Sequence, residues 1–351
     1  MSRKQTRISR ALIGILGVAV VLGLVAYFHN VSKSRALEAD SNPPPLPVTP
    51  AVVPHAPPTP APPMPAPPAT KPAPVVSRTP DGNSTNLTSN APTTPAGPGT
   101  LAEGQSKIQS GDLLAGRQVL NDLLQNGRLS TTDASIAHEA IALANQTLIF
   151  SAKRFPNDPF GGTYVVKPGD NLAKIARDYD ITWELLARIN GLNDPRKLRA
   201  GATLKVLKGP FHAIVTKSAY TIDMYLGSAG EKGSMYVITF NVGLGRDDST
   251  PSGTWIVTPQ NKLKNPKFWG ASDLPPAEAD DPQNPLGEYW IGLEGTDGHA
   301  VGKQSYGIHG TIEPDSIGKQ ASHGCIRLRS GEIDLVYEML VEGKSTVIVK
   351  D

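Results

Sequence analysis

The spacing of apolar positions divides the chain into stretches of different period. Residues 11–28, ALIGILGVAVVLGLVAYF, form one uncharged apolar run. As a helix at roughly 1.5 Å per residue the run measures about 27 Å, close to the thickness of a hydrocarbon core. Between 101 and 150 the period becomes helical, with Leu113, Leu114, Leu120, Leu123 and Leu124 followed by Ile136, Ala140, Ile141, Ala144 and Leu148 on recurring faces. Two or three helices are expected, the last opened by a capping box at Ser130-Thr131-Thr132-Asp133. Residues 164–207 read strand, helix, helix, strand. The Lys167-Pro168-Gly169-Asp170 turn places Asp170 to cap a helix carrying Leu172, Ile175, Ala176 and Tyr179. Thr182 is placed to cap a second helix carrying Leu185 and Ile189. After Phe211 the runs are short, alternating and rich in Val, Ile, Tyr and Thr, as at 213–216, 219–225 and 236–242. This predicts a mainly-β sandwich or barrel with one late helix at 331–341 and a closing strand at 345–350.

Composition adds a linker and an orientation. Twenty of the 33 prolines lie between Pro43 and Pro98, in a Pro/Ala/Thr/Ser-rich stretch that cannot bury enough apolar surface to offset ordering entropy. Its dense part favours polyproline II and a long stand-off, and a PxxP recognition role is the lesser reading. Arg3, Lys4, Arg7 and Arg10 precede the apolar run, so the positive-inside bias keeps the N-terminus cytoplasmic and sends the rest outward. A cleaved signal peptide competes, but Tyr27-Phe28-His29 stands where a small-residue cleavage site belongs. The expected organisation is a basic tail at 1–10, a transmembrane signal anchor at 11–28, a disordered Pro-rich linker at 29–100, a helical spacer at 101–155, a small βααβ module at 164–208 and a mainly-β domain at 211–351. The expected setting is a single-pass envelope protein of the cytoplasmic membrane. Gly111 to Leu114 is similar to part of a tetratricopeptide unit, though too short for a solenoid.

With 34 Lys+Arg against 32 Asp+Glu the net charge is +2, which lacks the electrostatic footprint of a nucleic-acid binder. The single cysteine, Cys325, excludes an intrachain disulfide and CxxC-type metal or redox sites. It stands in Ser322-His323-Gly324-Cys325-Ile326-Arg327, downstream of Tyr306-Gly307-Ile308-His309-Gly310-Thr311. A thiol becomes nucleophilic as thiolate, and His309 or His323 can take its proton. Glycine before the cysteine admits close approach and leaves the Gly324 and Cys325 N–H groups for an oxyanion hole. Zinc ligation by His309, His323 and Cys325 is the weaker reading, and no cofactor is expected. Gly343-Lys344-Ser345 imitates the end of a P-loop, but Glu338 occupies its first glycine position. Asp247-Asp248 and Asp280-Asp281 read as solvated loops, and His299 has no evident partner.

Two resemblances sharpen this picture. The Tyr-Val-Val-x-Pro-Gly-Asp-x-Leu-x-x-Ile-Ala run from Tyr164, with Asn190-Gly191-Leu192 and Leu198-x-x-Gly201-x-x-Leu204, resembles a LysM domain. That resemblance implies binding of N-acetylglucosamine-containing glycans, with Gly169, Asp170, Asn171, Leu192 and Asn193 as contacts. The Cys/His motifs, preceded by Val242-Gly243, Thr250-Pro251-Ser252-Gly253-Thr254 and Pro285-Leu286-Gly287, resemble the YkuD-type L,D-transpeptidases. That implies a peptidoglycan cysteine acyltransferase with nucleophile Cys325, base His309, second histidine His323 and backbone contributor Gly324. Gly310 would orient His309 through its carbonyl, and Ser322, Gly310 and Tyr306 would border the substrate. Arg327 is placed either to hold a substrate carboxylate or to make a structural salt bridge. A non-catalytic wall-binding protein, or a carboxypeptidase or endopeptidase using the same cysteine, are the alternatives.

Overall fold

Helical periodicity in the first stretch is realised as α1 (Leu101–Gln109), α2 (Leu113–Gln125) and α3 (Thr131–Leu148) of a computed structural model that describes residues 99–229, 231–271 and 274–351. Each start is capped by a side-chain oxygen: Thr100 accepts from Glu103 N, Asp112 from Ala115 N and Ser130 from Asp133 N. Ser130 Oγ also donates to Asp133 Oδ2 at 2.9 Å, which completes the expected box. The apolar face of the helices buries Leu120, Ile141, Ala144 and Leu148.

The next module pairs β1 (Gly161–Val165) antiparallel with β2 (Thr203–Leu207) around α4 (Leu172–Asp178) and α5 (Trp183–Arg188). Thr182 caps α5 as expected, whereas the cap of α4 is Asn171. Asp170 is corrected to a turn residue: its Oδ2 accepts from Tyr164 Oη at 2.6 Å and Lys167 N at 2.9 Å, so it is spent one residue before the helix. Leu172, Ile175, Leu185, Leu186, Ile189, Leu204 and Val206 fill the module's core. Each such side chain contributes about 1.5–3 kcal/mol on burial.

The remaining strands are β3 (Phe211–Thr216), β4 (Thr221–Leu226), β5 (Met235–Asn241), β6 (Leu244–Gly245), β7 (Gly253–Lys264), β8 (Tyr289–Gly298), β9 (Tyr306–His309), β10 (Gln320–Ser322), β11 (Ile326–Arg327) and β12 (Thr346–Lys350). Eight of them form one sheet in the order β11-β9-β8-β7-β12-β3-β4-β5, while β6 and β10 make a short parallel pair. Just past β5, Gly243 N donates to Arg327 O at 3.0 Å and Arg327 N to Gly243 O at 2.8 Å. The chain leaving one edge strand thus bonds the other, and the sheet curls toward a barrel at this seam. The late helix α6 (Glu332–Met339) ends two residues short of its expected limit and buries Ile333, Leu335, Val336 and Met339.

The helices at 101–148 are more than a spacer, because they cover the outer edge of β5. Asn121 Nδ2 donates to Ser234 O at 3.0 Å and Asn121 Oδ1 accepts from Tyr236 N at 3.0 Å. Asn145 Nδ2 donates to Tyr236 O at 3.2 Å and Val237 O at 3.1 Å. Side-chain amides stand in for a neighbouring strand, which an exposed edge would otherwise recruit from another chain. Lys205 of β2 reaches the same helices, its Nζ donating to the carbonyls of Leu148, Ile149 and Ser151 at 2.7, 3.0 and 2.7 Å. Burial holds that ammonium down at about 8. On the other side of the module, Arg188 pairs with Glu338, and Lys264 bridges to Glu184 at 3.1 Å while lying over the Trp183 ring.

The expected tail, anchor and linker fall almost wholly on residues 1–98, outside the described residues. Among the described residues no helix is long and apolar enough to cross a membrane. The longest, α3, has 18 residues and includes Asp133, His138, Glu139 and Asn145. For the described residues the fold class is corrected accordingly to a βααβ module and a mainly-β domain with one late helix, preceded in the chain by the helical segment.

Replacing Asn145 by leucine tests the edge cover. Two buried carbonyls lose their donor, so Asn145→Leu is expected to cost roughly 2–4 kcal/mol, read as a lower urea midpoint at unchanged slope. A loss under about 0.5 kcal/mol would show that the edge is satisfied in another way.

Candidate active site

Strands β9 and β11 run parallel, with Ile308 opposite Ile326 and His309 opposite Arg327. Alternation along each strand turns Ile308 and Ile326, which are fully buried, toward the core. His309 and Arg327 therefore share the other face, and Cys325, one residue before β11, falls on that face beside Gly307. β8 flanks it, pairing Trp290 with His309, and the two rings stack with centroids 5.9 Å apart. The seam at Gly243 brings β6 against β10 on the opposite flank.

His309 Nδ1 lies 2.6 Å from the Gly310 carbonyl oxygen. A carbonyl only accepts, so the proton sits on Nδ1 and the neutral ring keeps its lone pair on Nε2. Burial lowers the His309 pKa to about 4, the Arg327 charge pushes the same way, and the Gly310 carbonyl opposes both. Burial pushes the Cys325 thiol above its ordinary value, although the Gly307 N–H and the Arg327 charge act against it. The resting pair is thus neutral thiol and neutral imidazole, and among the described residues no hydrogen bond joins the thiol to the ring.

The turn carrying the cysteine is held by its own serine. Ser322 Oγ donates to Cys325 O at 2.6 Å and accepts from Gly324 N at 3.1 Å. Of the two N–H groups expected to form an oxyanion hole, that of Gly324 is engaged by Ser322 Oγ. Gly324 adopts φ 132°, and a Cβ there would stand 2.7 Å from Tyr306 Cε1, so only glycine fits. The Tyr306 ring packs on Trp255 with centroids 5.0 Å apart and covers Gly324. His323 is exposed, and its Nε2 accepts from Arg246 Nη2 at 2.8 Å. Arg327 is buried and pairs through Nη1 with Glu313 at 2.8 Å, while its Nε has no partner. Of the two alternatives for Arg327, the structural salt bridge is present. Ser252 Oγ sits 3.2 Å from His299 Nδ1, a partner that sequence spacing did not reveal. Among the described residues no cluster of three His, Cys, Asp or Glu side chains is arranged for a metal.

In the βααβ module, Gly169 and Asn193 are exposed, Leu192 is half-buried, and Asn171 is engaged as the helix cap through Lys174 N at 2.8 Å. Of the five residues expected to meet a glycan, Asp170 and Asn171 are thus engaged in holding the turn.

A LysM domain model matches residues 164–207, and the L,D-transpeptidase catalytic domain model, YkuD, matches residues 212–349. The β domain is therefore an enzyme domain of the L,D-transpeptidase type. The chain is 30% identical over 197 residues to a Bacillus subtilis (strain 168) protein named as the L,D-transpeptidase YkuD, covering 53% of this chain and 98% of that one. It is 34% identical over 148 residues to YqjB of the same organism, also named as an L,D-transpeptidase, covering 41% of this chain and 74% of that one. A solved L,D-transpeptidase from Mycobacterium smegmatis matches at 13% identity and TM-score 0.29, covering 43% of this chain and 64% of that one. The chain belongs to the YkuD family of L,D-transpeptidases, and its catalytic domain is consistent with peptidoglycan cross-linking chemistry. The LysM match supports contact with the glycan strands of peptidoglycan. For the described residues the expected membrane partner and single-pass placement are corrected to peptidoglycan-associated placement through LysM, since no helix among them is long and apolar enough to cross a membrane; the anchor expected at 11–28 lies outside the described residues.

A neutral resting pair has a measurable signature. Alkylation of Cys325 by iodoacetamide is expected to rise steadily with pH from 6 to about 9, because thiolate forms only as bulk proton activity falls. A rate already level near pH 6 would reveal a preformed thiolate–imidazolium pair instead.

Proposed function

We propose that the protein is a peptidoglycan L,D-transpeptidase that works through a Cys325 thioester and is held on its polymer by LysM. The observation that carries this reading is the parallel register of β9 and β11, which sets His309, Arg327 and the approach to Cys325 on one face. Cys325 Sγ attacks the carbonyl at the L-centre of the third-residue diamino acid while His309 Nε2 takes the thiol proton. The Cys325 N–H receives the oxyanion. As the tetrahedral adduct collapses, the bond to the terminal D-alanine breaks and His309 returns the proton to the leaving amine, leaving a thioester. An acceptor amine then attacks the thioester, gives its proton to His309, and displaces the sulfur as the new amide forms. The thiolate regains its proton and the cycle closes. Water in place of the amine makes the same thioester a carboxypeptidase intermediate.

His309 supports this sequence because a base lowered to about 4 is unprotonated at neutral pH. His323, whose Nε2 is engaged by Arg246, supports the turn in place of the proton transfer. The unpartnered Nε of Arg327 supports a contact to a substrate carboxylate beside the nucleophile. LysM raises the local concentration of stems by holding the strand that carries them.

Cys325→Ala is expected to abolish release of D-alanine from a soluble tetrapeptide stem and the mass adduct formed with a carbapenem-class β-lactam, with the melting temperature unchanged. The acid limb of kcat/KM is expected near pH 4, since activity persists until His309 protonates, and His309→Ala should lose at least about a hundredfold. Turnover retained without the cysteine, or an acid limb at the ordinary histidine value, would sink this assignment. For the LysM module, Asn193→Ala should weaken co-sedimentation with insoluble peptidoglycan and leave turnover of the soluble stem intact. Loss of soluble turnover in that variant would make the module part of the reaction site.

A further inference from the structure

Thr250 is one of the few fully buried polar residues of the β domain, at 3% exposure, and it belongs to no strand. Its hydroxyl makes two hydrogen bonds. Oγ1 accepts from Gly245 N at 2.9 Å and donates to Gly324 O at 2.9 Å. The direction of each bond is fixed, because an amide N–H only donates and a carbonyl oxygen only accepts, so the hydroxyl proton must lie toward Gly324.

Gly324 O belongs to the peptide whose other end is the Cys325 N–H. In a planar trans peptide the C=O and N–H point in opposite directions. Anchoring the oxygen on Thr250 therefore aims the Cys325 N–H away from Thr250. The same bond draws electron density toward the oxygen and makes the N–H a stronger donor. The neighbouring peptide cannot substitute, since Gly324 N is given to Ser322 Oγ at 3.1 Å. The bridge requires close approach of two backbones: a Cβ on Gly245 would stand 2.7 Å from Gly324 Cα. The register of β6 with β10, which pairs Gly245 with Ser322, brings them that near.

We infer that Thr250 is a positioning residue of the acyl-transfer reaction, setting the direction and strength of the Cys325 N–H as the oxyanion donor through the Gly324 peptide. The inference rests on the thioester reading above. It explains why a threonine stands immediately before Pro251: the requirement is for a hydroxyl that can accept from one backbone and donate to the other.

The test compares two reactions of one sulfur. Acylation by a carbapenem-class β-lactam develops an oxyanion, whereas alkylation by iodoacetamide displaces iodide and develops none. Thr250→Val is expected to slow acylation of the full chain by at least about tenfold while changing iodoacetamide alkylation by less than about twofold. Thr250→Ser, which keeps the hydroxyl, should restore acylation to near the parent rate. With a soluble stem peptide, Thr250→Val should lower kcat and leave KM unchanged, because the carbonyl carries its charge only in the transition state. Equal slowing of acylation and alkylation would reduce Thr250 to a structural role and overturn the inference. So would unchanged acylation in Thr250→Val, or failure of the serine variant to restore it. Failure of the parent protein to form any acyl adduct would fall on the thioester reading, and is read from the parent alone.

Discussion

The site depends on one closure, the pair of backbone hydrogen bonds between Gly243 and Arg327. An open sheet would leave β11, only two residues long, as a frayed edge next to Cys325. Bonding the exit of β5 to β11 gives that edge a neighbour on each side. It also delivers β6 to β10, and with it the Gly245 backbone to the Ser322–Cys325 turn. Loop residues without a strand of their own are in this way held as firmly as a ladder would hold them.

Electrostatics follow from the same placement. Arg327 shares a face with His309 and Cys325, and its charge acts on both in the sense that favours thiolate and disfavours imidazolium. Burial acts on both in the sense that disfavours charge altogether, and burial dominates. The balance favours a neutral thiol beside a neutral imidazole, with the Gly310 carbonyl holding the His309 ring through Nδ1.

Much of this was legible in the residues. The period of the apolar positions predicted the helices, the βααβ module and the late helix, and the Cys325 and His309 motifs stood out against a chain with one cysteine. Other features were illegible for identifiable reasons. Asp170 and Asn171 are both good capping residues, and only the Tyr164 hydroxyl decides which is otherwise engaged. Whether the Gly324 N–H is available turns on the rotamer of Ser322, which no spacing encodes. Asn121, Asn145 and Lys205 carry no signal in the sequence, and they are buried because their partners are backbone groups on a strand about 90 or more residues away, or on another module.

The amide cover over β5 also has a direction in time. Helices α2 and α3, which carry Asn121 and Asn145, precede β5 by about 90–115 residues in the chain. Synthesis runs from the N-terminus, so the residues of the cover are made before the strand whose edge they bond. The helical segment is thus synthesised ahead of the strand whose edge it bonds in the folded chain.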